Sequence, residues 1–118
     1  MGEIELREKL ESAQKWVTTT ETDIFSSNVA ESKVRYIVKI IVTGDRQAAR
    51  ALNLYKKEES GSYSSFIENV NVEAPQKVEI PEIMRLDAPI LRLEGGTNLA
   101  GKVSGNSLAV TVLYYDEP

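Results

Sequence analysis

From Lys33 to Thr43 the chain reads Lys-Val-Arg-Tyr-Ile-Val-Lys-Ile-Ile-Val-Thr, and Val34, Tyr36, Val38, Ile40 and Val42 fall on every second position. A strand turns successive side chains to opposite faces, whereas a helix groups positions three and four apart. Alternation this long, in residues this rich in β-branching, predicts a strand over 33–43. Its buried face carries those five residues. Lys33, Arg35 and Lys39 take the other face, joined by Ile37 and Ile41.

The same signal recurs along the chain between turn-forming residues. Thr18-Thr19-Thr20 favours extended backbone, so a strand is expected from Trp16 to about residue 25. Gln47–Lys57 places Ala48, Leu52 and Leu54 inward and Asn53 and Tyr55 outward. Ser64–Glu73 groups Phe66, Val70 and Val72 on one side. Lys77–Ile80 is a short strand closed by Pro81, with Ile83 continuing it past a bulge. Pro89–Glu94 turns Leu91 and Leu93 inward, and Leu99–Val103 and Leu108–Tyr115 complete the set. The last is apolar on both faces, as a central or covered strand must be. Glycine-containing turns near Gly44, Gly61, Gly95-Gly96 and Gly105 separate these runs. The pattern predicts an all-β, antiparallel sandwich of about eight strands, jelly-roll-like. A chain of 118 residues fits one such domain, over 16–116, after an N-terminal helix within 1–15.

That helix is expected over residues 3–14. Leu6, Leu10, Ala13 and Val17 follow a helical stripe, and Glu3, Glu5 and Glu8 sit where the helix dipole favours negative charge. So short a helix needs a surface to dock on, either its own sandwich or a neighbouring subunit. Trp16, at the junction, is expected to fasten helix to sheet, and Tyr36 to lie in the core.

The chain contains neither histidine nor cysteine. The commonest general base, the commonest nitrogen ligand and the thiolate nucleophile are all missing, so no Ser-His-Asp or Cys-His arrangement can form. No phosphate-binding glycine motif is present; Gly95-Gly96 reads as a flexible corner. Carboxylates are plentiful, but Glu58-Glu59 flanks a turn, Asp116-Glu117 is expected to fray at the C-terminus, and Asp23, Asp45 and Asp87 stand apart. A sugar-cleaving pair would have to converge from such positions, and a metal site would have to be an all-oxygen calcium site without its usual loop. No catalytic, cofactor or metal residue is therefore assigned, no cofactor is expected, and the chain is read as a non-enzyme.

With 14 basic against 18 acidic residues the formal charge is −4, which does not suit a nucleic-acid partner. No apolar run is long enough for a membrane helix, and the acidic start is not a secretory leader. The chain is expected inside the cell or assembled into a particle. Two surface features stand out. Arg46, Arg50, Lys56 and Lys57, set beside Lys33, Arg35 and Lys39, would form a basic face for an acidic protein if the two strands were neighbours. The bland alternative is a solvated face paired with Glu58 and Glu59. Tyr55 and Tyr63 flank one hairpin, where their rings either cover its base or offer a sugar-binding platform near Gly95-Gly96.

The order of elements carries a resemblance. A threonine-rich start (Thr18 to Phe25) precedes the long strand (Val34 to Val42) and an alanine-rich one. Val78-Glu79-Ile80-Pro81 and Leu86-Asp87-Ala88-Pro89-Ile90-Leu91-Arg92-Leu93 follow, then Val103-Ser104-Gly105 and an apolar strand. Over residues 18–115 this resembles the small jelly-roll proteins of tailed-virus particles and their prophage relatives. The resemblance implies attachment or reinforcement in a multisubunit shell or tail, without catalysis. The N-terminal helix departs from that pattern.

Two functions follow as expectations. The first is a structural or assembly protein that forms homo-oligomers, or joins a larger protein assembly, through Leu6, Leu10, Ala13, Trp16, Val17, Leu113 and Tyr115. The second is a β-sandwich module that binds carbohydrate or another ligand.

Overall fold

The computed structural model describes residues 8–44, 50–61, 63–72, 77–81, 83–105 and 108–118. Among them run nine strands: β1 (Glu11–Val17), β2 (Thr22–Asp23), β3 (Val34–Thr43), β4 (Arg50–Lys57), β5 (Tyr63–Val72), β6 (Lys77–Ile80), β7 (Leu91–Leu93), β8 (Asn98–Val103) and β9 (Leu108–Glu117).

All pairings are antiparallel, and they are nested. β1 pairs with β9, β2 with β8, β3 with β6 and β7, and β4 with β5. The chain is thus a long hairpin rolled across two sheets. Sheet I has the order β1-β9-β3-β6, with β7 also on β3, and sheet II has the order β2-β8-β4-β5. That is the jelly-roll-like β-sandwich the alternation predicts.

The core lies between the sheets. Val17, Ile37, Ile40, Val42, Leu108, Val110 and Val112 enter it from sheet I, and Leu52, Leu54, Leu99 and Val103 from sheet II. Ile24, Phe25 and Val29 close one end. Gly101 belongs to the packing. A Cβ there would stand 2.9 Å from Leu54 Cδ2 and 3.3 Å from Val17 Cγ1, so the sheets meet at this point only because the side chain is missing. Behind Phe25, the buried Asn98 is fully used. Its Oδ1 accepts from the amides of Phe25 and Leu99, and its Nδ2 donates to the Phe25 carbonyl and to Asn28 Oδ1. This satisfied amide ties the 24–29 loop to β8.

Three expectations change. Residues 11–14 form the start of β1, not the end of a helix; residues 1–7, with Leu6, lie outside the described residues. Tertiary pairing with β9 overrides a weak local helical signal. The face assignment of β3 holds only in part. A register shift between Ile37 and Lys39 marks a bulge at Val38. Ile37 thereby joins Ile40 and Val42 in the core, while Tyr36 and Val38 turn to the outer face of sheet I. Finally, Ile83 does not extend β6; it lies in a bend and is 81% exposed.

Candidate interaction surfaces

β9 is central in sheet I, so both its faces need cover. Its inner face builds the core. On the outer face, Val38, Leu86 and Tyr115 form a second apolar cluster, with Leu10, Tyr36, Met84 and Leu113 packed against it. The chain supplies its own lid here, from the segment between β6 and β7. The Tyr36 and Tyr115 rings stack 5.3 Å apart, and burial raises the Tyr115 pKa. Elsewhere the outer face is open. Trp16 stands on edge strand β1, in register with Ala109, and is 52% exposed. Ile83 projects from the residue before Met84.

The residues expected at an interface therefore separate. Val17 is fully buried in the sandwich, and Ala13 packs against the same core. A spacing of four is even, so these two share a face in a strand as they would in a helix. Leu10, Leu113 and Tyr115 belong to the outer cluster, where this chain already covers most of their surface. Trp16 alone of the described members is largely free. It lies within β1 rather than at a junction of helix and strand. Ile83, expected in a strand, is exposed as well.

Arg35 organises one end of sheet I. Its Nε and Nη2 donate to Asp116 Oδ1 and Oδ2 at 2.7 and 2.9 Å, a bidentate pair. Its guanidinium lies 4.4 Å from the Phe25 ring centre and 4.5 Å from that of Tyr114. The two rings meet edge to face. The carboxylate beside it raises the Arg35 pKa further above its ordinary value. Asp116 is therefore held in β9 rather than frayed. A cavity of about 320 Å³ opens beside this clamp, bordered by Gln14, Lys15, Ser26 and Ser27.

The basic face does not form. β3 and β4 lie in different sheets. Lys39 pairs with Glu79 at 2.9 Å, Lys56 with Glu94, and Lys57 with Asp23 at 3.2 Å. Arg46 lies outside the described residues. Lys39, Lys56 and Lys57 thus meet carboxylates from other parts of the chain, not Glu58 and Glu59.

On the outer face of sheet II, Tyr55 and Tyr63 face each other across the β4–β5 hairpin, with ring centres 4.9 Å apart and planes inclined at 46°. The Tyr55 hydroxyl donates to Glu21 Oε1 at 2.7 Å. This bond lowers the Glu21 pKa; burial and the same bond raise that of Tyr55. Lys57 also approaches Glu21, at 3.5 Å. Tyr63 is 65% exposed.

At the rim, Glu31, Glu58, Glu59 and Ser60 border an open depression of about 620 Å³ whose floor includes Gly95 and Gly96. This corner is tight, not loose. Gly96 has φ +86° and donates its amide to the Val29 carbonyl at 2.8 Å, and a Cβ on Gly95 would sit 2.7 Å from the Glu31 backbone. Among the described residues, no group of three acidic side chains is arranged to hold a metal ion. No described helix is long and apolar enough to cross a membrane.

No family model matches this sequence, and no curated protein matches it. Several solved structures are similar to it at low identity. A pentameric capsid protein from metagenomic phage sequences is 10% identical with a TM-score of 0.42, covering 88% of this chain and 59% of its own. A chain of the infectious bursal disease virus Gt strain is 7% identical with a TM-score of 0.41, covering 91% and 32% respectively. RmlC from Streptococcus suis, solved in complex with dTDP-D-xylose, is 14% identical with a TM-score of 0.43, covering 100% and 50%. This chain spans less than two thirds of the length of each of the three.

Proposed function

We propose that this chain is a non-enzymatic structural subunit that associates with further copies of itself, within a shell or a comparable particle, through the outer face of sheet I. The observation that carries the reading is the state of that face. Its centre is sealed by the chain's own Met84 and Leu86, yet Trp16 on β1 and Ile83, in the bend next to Met84, are 52% and 81% exposed. Exposed large apolar side chains are the anchors on which protein interfaces depend, tryptophan above all.

Multi-angle light scattering across a micromolar concentration series tests the proposal. Residues 11–14 belong to β1, so point substitutions are used rather than truncation. The wild-type mass should rise above that of one chain with concentration, and Trp16→Ser with Ile83→Ser should return it to one chain. A wild type that stays monomeric throughout, or a double variant that associates equally well, overturns the proposal.

A further inference from the structure

We infer that the outer face of sheet II binds a neutral saccharide on the Tyr55–Tyr63 platform. The inference does not rest on the assembly reading, which concerns the other sheet.

Tyr63 is the most exposed of the tyrosines on either sheet face for which the structure gives an exposure, at 65%, and its ring packs against Tyr55. Tyr55 is itself fixed from behind, its hydroxyl donating to Glu21 Oε1 at 2.7 Å. The result is an aromatic face on a strand, its inner ring fixed by a hydrogen bond, which lowers the ordering cost of binding. An aromatic face carries negative charge density, and the face of a pyranose ring that bears axial C–H bonds offers the complementary positive edge. Around the platform stand the polar groups that hydroxyls require. Glu21 and Asp23 are acceptors with side chains 40% and 43% exposed, and Lys57 is a donor 3.2 Å from Asp23 Oδ1. An apolar face with a few convergent polar groups at its margin is the usual composition of a small-ligand site.

The charge selects within the class. Lys57 pairs with the platform's two carboxylates and Lys102 also acts on Glu21, so the selection comes from the whole chain, whose net charge is −4. Uronates and sialylated sugars are therefore disfavoured, and neutral hexose chains are preferred. The site is open rather than enclosed, so a single chain binds weakly; an assembly displaying many copies would gain by avidity. Gly95 and Gly96 take no part. They face Glu31 and Glu59 on the rim.

The test is an amide chemical-shift titration of the full chain with cellotetraose, laminaritetraose and lactose, and with sialyllactose as the anionic comparator. At least one neutral sugar should give saturable shifts centred on Tyr55, Lys57 and Tyr63, and sialyllactose should bind more weakly. Tyr63→Ala and Tyr63→Leu should each weaken binding by about tenfold or more without changing the melting temperature, and Tyr63→Phe should retain it. Tyr63→Leu keeps bulk while removing the aromatic face, so it separates stacking from folding. No saturation with any neutral sugar, equal binding of sialyllactose, or affinity unchanged in Tyr63→Leu overturns the inference. So does a Tyr63 variant that alters only the mass in solution, which would make the platform a protein contact.

Discussion

Arg35 joins β3 to the 24–29 loop and to β9, and its removal gives a quantitative prediction. The guanidinium makes two hydrogen bonds to Asp116, between side chains 15% and 19% exposed, and packs against both Phe25 and Tyr114. Hydrogen bonds to charged groups contribute about 1.5–3 kcal/mol, a figure to be reduced here because both partners retain contact with water. Each cation–π contact adds about 0.5–2 kcal/mol. Arg35→Ala should therefore cost about 2–4 kcal/mol in urea unfolding followed by circular dichroism. At about 4 °C per kcal/mol for a chain of this size, the melting temperature should fall by about 8–16 °C. Two further variants divide the effect. Asp116→Asn keeps the stacked cation and should cost about 1–2 kcal/mol, and Arg35→Lys keeps the charge without the planar fork and should cost a similar amount. A loss below about 1 kcal/mol for Arg35→Ala, or full stability for Arg35→Lys, would refute the view that a planar clamp holds the 24–29 loop to sheet I.

Other consequences are as direct. Gly101→Ala should destabilise by about 1–3 kcal/mol because its methyl meets Leu54 Cδ2 at 2.9 Å. Combined with Leu54→Ala the loss should fall short of the sum by about 0.5–3 kcal/mol, and strict additivity in urea titrations would contradict the close approach of the sheets. Burial raises the pKa of Tyr55, Tyr114 and Tyr115, so the folded chain holds these protons where the unfolded chain releases them. The stability they provide is complete below the ordinary tyrosine value and declines as pH rises above it. Ultraviolet difference titration should show Tyr55, Tyr114 and Tyr115 ionising above the ordinary tyrosine value in the folded chain and at that value once urea unfolds it; ionisation of these three at the ordinary value in the folded chain would contradict it. Glu21, Glu79 and Glu94 are lowered chiefly by hydrogen bonds from Tyr55, Lys39 and Lys56. Their contribution is present above the ordinary carboxylate value and is lost as pH falls through their depressed ones. The urea midpoint should drop on acidification, and less steeply in Lys39→Met with Lys56→Met; equal slopes would contradict this.

What the sequence disclosed is what depends on local order. β3, β4, β6, β8 and β9 lie close to where alternation and turn residues put them, because each needs only a periodic run and a break. The residues at 10–17 were misleading for a physical reason. Ala13 and Val17 share a face under either periodicity, and only Leu10, an odd step from Ala13, separates the two; it packs in the outer cluster while Ala13 faces the core. The bulge at Val38 leaves no compositional mark, yet it exchanges the faces of Tyr36 and Ile37. Charge pairing was equally hidden. Arg35 meets Asp116 and Lys57 meets Asp23 only because the rolled hairpin brings distant strands together. Of the surfaces, the Tyr55–Tyr63 pair was legible from its hairpin, whereas Ile83 was not, since an isoleucine between Pro81 and Met84 reads as part of a strand.

Trp16 is the only tryptophan, which makes its fluorescence a direct reporter on the proposed contact face. Emission should be recorded along a dilution series while scattering reports the mass of the same samples. Burial of Trp16 between subunits predicts water-like, red-shifted emission in the dilute single chain and a blue shift that rises in step with mass. Emission that stays red-shifted while the mass increases would show that the chains meet elsewhere, and would contradict the assignment of the outer face of sheet I as the surface of assembly.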